Sequence, residues 1–311
     1  VRRPGRADGR EPVRRARRWI AGHKRAAWTA VAAGLLGLIL LASYLALRDP
    51  LEVREYHRGI ALANAGQWDK AVECFDLSIK LDNTNADFYF QRGRAQLGRD
   101  NLEAALADFE ASRKISDDGR SYAWAGYCYS RLLYNENAID SYCKAVARNF
   151  SELFVLNNLG FCYSQRNEFP KAKDFLDQAV ALAPNHNNPY TPYLNRAVLE
   201  IRRVQQDKSY FPLSGVHDIK KSIKLGAPRG QADIYASVLF GHASKVDPQL
   251  LDEGLEHLKT AIETGVRGDM LDNGRSSDFD AYRSNPRFEE IMRKPPPVAR
   301  VPRPIYVMPP E

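Results

Sequence analysis

Four glycines, Gly59, Gly93, Gly126 and Gly160, stand 34, 33 and 34 residues apart. A fixed period of this length restricts the fold more than any other feature of the chain. It calls for one supersecondary unit stacked on copies of itself, each touching only its neighbours. Other positions keep the same phase. Ala71, Ala105, Ala138 and Ala172 follow each glycine by twelve residues, and Phe75, Phe109, Tyr142 and Leu176 come four later. Ser78, Ser112, Ala145 and Ala179 come three after those, and Leu62, Gln96, Tyr129 and Tyr163 stand three after the glycines.

These spacings describe a pair of antiparallel helices. A small residue sits where the first helix (A) presses closest to the second (B), since a larger side chain would hold the backbones apart. The large apolar residue lies four positions after the small residue of helix B, on the same helical face, and fills the groove. Turn-prone segments such as Ala65-Gly66-Gln67 and Gly98-Arg99-Asp100-Asn101 break the first helix. Pro184 ends the last regular unit. Four units follow at roughly 52–85, 86–118, 119–152 and 153–186, and the fold class is all-α.

The G…A…F…A/S pattern and its period resemble tetratricopeptide repeats, a family of helical solenoids. The resemblance implies a right-handed superhelix whose concave face, lined by A helices, takes a protein or peptide ligand. Carried over by phase, the groove-facing residues are Tyr56 and Ile60, Phe90 and Arg94, Tyr127 and Arg131, and Asn157, Phe161 and Gln165. Asn158 and Asn195 recur one position further along. Asparagine amides suit an extended peptide backbone, and arginines suit a carboxylate. The family's lysine-and-asparagine clamp for peptide C-termini is not reproduced, because Tyr56 and Ile60 occupy its first two places.

Two divergent units are expected over 187–268. Ala197 takes the small position of one helix A, and Gly215, Ile219 and Ser222 that of its helix B, with extra residues in the loop QQDKSYFPLS. Gly254, Leu258 and Ala261 mark a further helix B. A capping segment is expected over 269–294. There Asn285 suits a helix N-cap, Pro286 the first helical position, and Phe288, Ile291 and Met292 form an apolar edge. A proline-rich, extended tail follows over 295–311.

Before the repeats, Ala26 to Leu47 is free of charge and bounded by Arg25 and Arg48. Its length is that of a transmembrane helix, with a long core helix of a water-soluble domain as the alternative. Residues 1–25 hold ten basic and two acidic side chains, whereas the rest of the chain is near neutral. The excess that raises the isoelectric point to about 9.2 therefore belongs to a disordered basic flank, not to a nucleic-acid reader. The positive-inside rule then expects a cytoplasmic N-terminus and extracytoplasmic repeats. The small residues Ala30, Ala33, Gly34 and Gly37 offer a seam for homodimer pairing.

The order of basic segment, apolar helix and repeats ending in D-x-D-x-x-R-x-N-P-R-F is also similar to the C-terminal half of bacterial receptor-type serine/threonine kinases. That resemblance implies a sensor and anchor whose catalytic domain lies outside this chain. The chain itself shows no Gly-rich loop, H-R-D or D-F-G. No catalytic, cofactor or metal constellation emerges elsewhere. The histidines are scattered, and Cys74, Cys128, Cys143 and Cys162 form no C-x-x-C pair. They read as small apolar residues inside helices. Asp108 and Glu110 read as solvated residues on exposed helical faces. The chain is expected to be a non-enzymatic interaction protein, either scaffold or sensor, with no cofactor.

Overall fold

The computed structural model describes residues 11–46, 49–264 and 277–293. A long helix, α1 (Glu11–Ala46), is followed by six antiparallel helix pairs. The first four pairs are α2 (Leu51–Asn64) with α3 (Trp68–Leu81), α4 (Ala86–Gly98) with α5 (Leu102–Ile115), α6 (Gly119–Arg131) with α7 (Asn135–Ala147), and α8 (Leu153–Gln165) with α9 (Phe169–Leu182). Two more follow, α10 (Tyr190–Gln206) with α11 (Leu213–Lys224), and α12 (Arg229–Ala243) with α13 (Leu250–Glu263). A 3-10 segment, Ser277–Tyr282, and α14 (Pro286–Arg293) close the described chain. There is no strand among the described residues.

The glycine ladder is the closest approach of A to B in each regular pair. A Cβ on Gly126 would stand 2.8 Å from the Tyr142 ring, and one on Gly93 would stand 2.8 Å from Phe109. Gly59 faces Phe75 and Gly160 faces Leu176 in the same way. These four partners, with Ala71, Ala105, Ala138 and Ala172, are fully buried. Each of these four A helices ends in a repeated turn that holds one left-handed residue: Gly66, Asp100, Leu133 and Asn167. The amide three residues past the helix end donates back across the turn, as in Gln67 to Leu62 and Tyr134 to Tyr129, both at 2.9 Å. This is the Schellman arrangement that satisfies orphan carbonyls. Asn85, Asn101 and Asp118 cap the starts of α4, α5 and α6 with their side chains.

Successive A helices touch along one side of the stack, as α2 does α4, α6 does α8, α8 does α10 and α10 does α12. Contacts between successive B helices are weaker. The stack therefore curves with the A helices inside.

In the last pair the filler comes from outside the pair. Tyr282, from the 3-10 segment, lies against both Gly241 of α12 and Gly254 of α13, and its hydroxyl donates to the Ser237 carbonyl at 2.5 Å. Phe279 and Phe288 pack beside it, and Ile291 joins the same core. Asn285 caps α14 by accepting from the Arg287 amide at 3.0 Å, as the sequence leads one to expect.

The expectations for the N-terminal part need correction. Among the described residues no helix is long and apolar enough to cross a membrane. The apolar stretch is one part of α1, whose first half carries Arg14, Arg15, Arg17 and Arg18. Leu47 and Arg48 lie outside the described residues. The single-pass topology, with its cytoplasmic and extracytoplasmic sides, is thus not supported, and membrane contact and homodimer pairing through that span fall with it. The flank expected to be disordered is helical from Glu11 onward, and residues 1–10 lie outside the described residues. So do the proline-rich tail and positions 265–276 of the sixth unit and capping segment.

Candidate functional site: the inner face of the A helices

The expected groove residues divide into two groups. Tyr56 and Ile60 of α2 are half-buried and pack on the first core cluster, with the Tyr56 ring 5.1 Å from Phe88. Phe90, Tyr127 and Phe161 are buried, and Phe90 lies 5.6 Å from the Trp124 ring. Asn157, Asn158 and Asn195 are buried too, and they face one another rather than a ligand. Asn195 Nδ2 donates to Asn157 Oδ1 at 3.0 Å, Asn157 Nδ2 to Asn158 Oδ1 at 3.1 Å, and Asn158 Nδ2 to the Tyr142 hydroxyl at 3.3 Å. This polar ladder joins α7, α8 and α10. Its cost of burial is offset by internal pairing. The expectation that these three amides meet a peptide backbone is corrected: helix-to-helix contact closes over them.

The polar residues that remain accessible are Arg94, Arg131 and Gln165, joined by a residue the phase argument did not single out, Arg202 of α10. Arg94 lies over the Trp124 ring, 5.3 Å from its centroid. Arg131 reaches back to the turn of the preceding repeat, where its Nη2 donates to Asp100 Oδ1 at 2.8 Å, and its Nη1 donates to the Tyr127 hydroxyl at 3.1 Å. Arg202 makes the corresponding reach from α10, but meets the neutral Gln165, donating to Oε1 at 2.6 Å. Arg202 stands five residues after Ala197, as Arg131 does after Gly126 and Gln165 after Gly160, so the repeat phase was the signal that could have found it.

Asp108, expected on a solvated face, is buried between helices. Arg92 grips it through Nε at 3.1 and 3.0 Å and through Nη2 at 2.5 Å, and reaches Asp76 at 2.6 Å. Burial lifts the Asp108 carboxyl above its ordinary value, an effect Arg92 only partly offsets. Arg196 repeats the device three units later, binding Asp218 at 2.7 Å and Asp177 at 2.7 Å. Both arginines bridge two B helices through the residue preceding the small position of helix A. Glu110 accepts from the Tyr129 hydroxyl at 2.8 Å.

The four cysteines are free thiols. Burial pushes Cys128 up to about 12 and Cys162 up to about 11, which makes both inert. Among the described residues no group of three or more His, Cys, Asp or Glu side chains stands where it could hold a metal ion.

Helix pairs at a constant period, packed glycine against aromatic and curved with their A helices inside, define an α-solenoid of two-helix repeats. Two of these repeats are tetratricopeptide repeats by sequence as well: the family model "Tetratricopeptide repeat" matches residues 119–151 and again 154–186. It is similar to human Tetratricopeptide repeat protein 6, with 28% identity over 140 residues, covering 45% of this chain and 26% of that protein. It is also similar to the human mitochondrial import receptor subunit TOM70, with 26% identity over 144 residues, covering 42% of this chain and 22% of that one. The chain thus spans about a quarter of the length of these relatives. The structure of PilF from Pseudomonas aeruginosa shares the fold, with a TM-score of 0.53 and 15% identity over 75% of this chain and 96% of the other. These comparisons bring no support for a kinase relationship, and the family matched is one of repeats, not a catalytic domain.

Proposed function

We propose that the inner face of the A helices binds an extended segment of a partner protein and that the chain acts as a scaffold or adaptor. The observation that carries this reading is a row of half-buried polar side chains, Arg94, Arg131, Gln165 and Arg202, presented by four successive A helices above a buried aromatic floor of Phe90, Trp124 and Tyr127. Aromatic and arginine side chains on a rigid support are the usual carriers of binding energy at protein interfaces. The similarity to an import receptor subunit supports a role in protein recognition. A kinase-associated sensor role has no comparable support in the structure.

The test is a selection from a random peptide display library on the full chain. The recovered peptides are then measured against Arg94→Ala and Arg131→Ala, with Lys173→Ala on helix B as the control. Binding through the inner face predicts at least a tenfold loss for the arginine variants and none for the control. Recovery of no peptide, or equal binding by all variants, would overturn the reading.

A further inference from the structure

Arg131 and Arg202 occupy the same position in their repeats, yet their charges are treated differently. Each guanidinium leaves its A helix and crosses to the end of the A helix before it. Arg131 finds a carboxylate there, and although burial opposes its charge, Tyr127 and Asp100 hold its pKa above the ordinary arginine value. Arg202 finds an amide. Burial is its largest influence, and its pKa lies below the ordinary value. Among the described residues Gln165 is the one hydrogen-bond partner of this guanidinium. The acids closest in sequence on α10 and beside Tyr235 on α12 have other partners. Glu200 accepts from Tyr210 and Arg203, and Asp233 accepts from Arg229 at 3.0 Å and His257 at 2.6 Å. The Tyr235 phenol of α12 is the other group that feels the Arg202 charge.

A partly buried cation without a counter-charge is costly, and a planar guanidinium with one N–H engaged keeps a two-pronged donor edge for a carboxylate. The inner face therefore carries a guanidinium with no counter-charge at α8–α10–α12, whereas Arg131 at the same repeat position is balanced by Asp100.

We propose that Arg202, oriented by Gln165 and flanked by Tyr235, is the anchor for a carboxylate of the bound partner segment. The inference rests on the inner-face reading above and adds the chemistry of the ligand: an acidic side chain or a free C-terminus, either of which presents the same pair of oxygens. Gln165 acts as a positioning residue. Its amide fixes the guanidinium without neutralising it, which an acid at that place would do.

Two variants of the full chain test this against a display-selected peptide. Arg202→Gln removes the cation, and Gln165→Glu supplies an internal carboxylate, reproducing the balanced Arg131–Asp100 arrangement. Both are expected to weaken binding at least tenfold with little change in helicity or Tm, and Gln165→Glu is expected to raise Tm slightly. The peptide is also synthesised with each Asp or Glu replaced by its amide, and separately with an amidated C-terminus. The substitution that weakens wild-type binding but leaves binding to Arg202→Gln unchanged identifies the carboxylate and its source. A peptide that depends on Arg94 or Arg131 but binds both variants as well as wild type would overturn this inference and leave the inner-face reading intact. A peptide indifferent to Arg94 and Arg131 as well would remove both.

Discussion

The first four helix pairs and the last two solve one packing problem with different parts. In residues 51–182 each A helix carries a glycine, and its own B helix brings the large side chain that covers it, sixteen residues later. In residues 190–293 the glycines have moved. Gly241 sits late in α12, Gly254 sits in α13, and both are covered by Tyr282 of the segment that follows. Gly215 of α11 lies instead against Glu200 of α10 and Leu239 of α12. The regular half is therefore closed repeat by repeat, while the divergent half depends on a terminal element. A solenoid needs such an element, since its last repeat has no following neighbour.

If Tyr282 is to the end of the stack what Phe109 is to its middle, truncating either should cost about the same. Both are fully buried aromatics, for which loss of the side chain costs roughly 3–5 kcal/mol. Urea unfolding of Tyr282→Ala and Phe109→Ala tests the equivalence. A Tyr282→Ala cost below about 1 kcal/mol would make the terminal segment an accessory rather than part of the core.

The buried arginines sharpen the same comparison, because Arg92 lies in the regular half and Arg196 in the divergent half. Arg92→Ala strands Asp108 and Arg196→Ala strands Asp218, each at an expected cost of about 3–5 kcal/mol. Replacing both partners of a pair with apolar residues of similar volume should cost far less. Chemical denaturation of the single and double variants measures the difference. Gly126→Val is expected to cost roughly 1–3 kcal/mol, since its new side chain must displace the Tyr142 ring.

Two smaller effects remain. Leu133 holds the left-handed turn position taken elsewhere by Gly66, Asp100 and Asn167, and it is largely exposed. Leu133→Gly should stabilise the protein by about 0.5–1 kcal/mol, read as a rise in the urea midpoint. A thiol reagent should label Cys143 first in the native protein. Cys74, Cys128 and Cys162 should react only as it unfolds, because they are buried.

The repeat was legible because its cause is local: the small residue, its filler and the turn all recur at fixed offsets within one unit. The terminal helix was legible for the same reason, from Asn285 and Pro286. Burial that depends on a third helix was not. Asp108 lies on what reads as an outward face until Arg92, sixteen residues earlier, reaches over it. Asn157 and Asn195 hold groove-facing phases, but phase does not say how tightly successive A helices close, and here they close over the amides. A charge-free run such as Ala26 to Leu47 specifies composition and length only. It belongs to a longer helix, and among the described residues no helix is long and apolar enough to cross a membrane. The repeat phase marks the position of Arg202, but no spacing reveals that its guanidinium meets an amide where Arg131 meets a carboxylate.

The central claim is that binding occurs on the A-helix side of the stack. Photo-crosslinking of a display-selected peptide to the full chain, with each attachment site mapped by mass spectrometry, tests it most directly. The account predicts attachment to α4, α6, α8 and α10, at or beside Arg94, Arg131, Gln165 and Arg202. Attachment concentrated on the outer faces of α3, α5, α7 and α9 would contradict it.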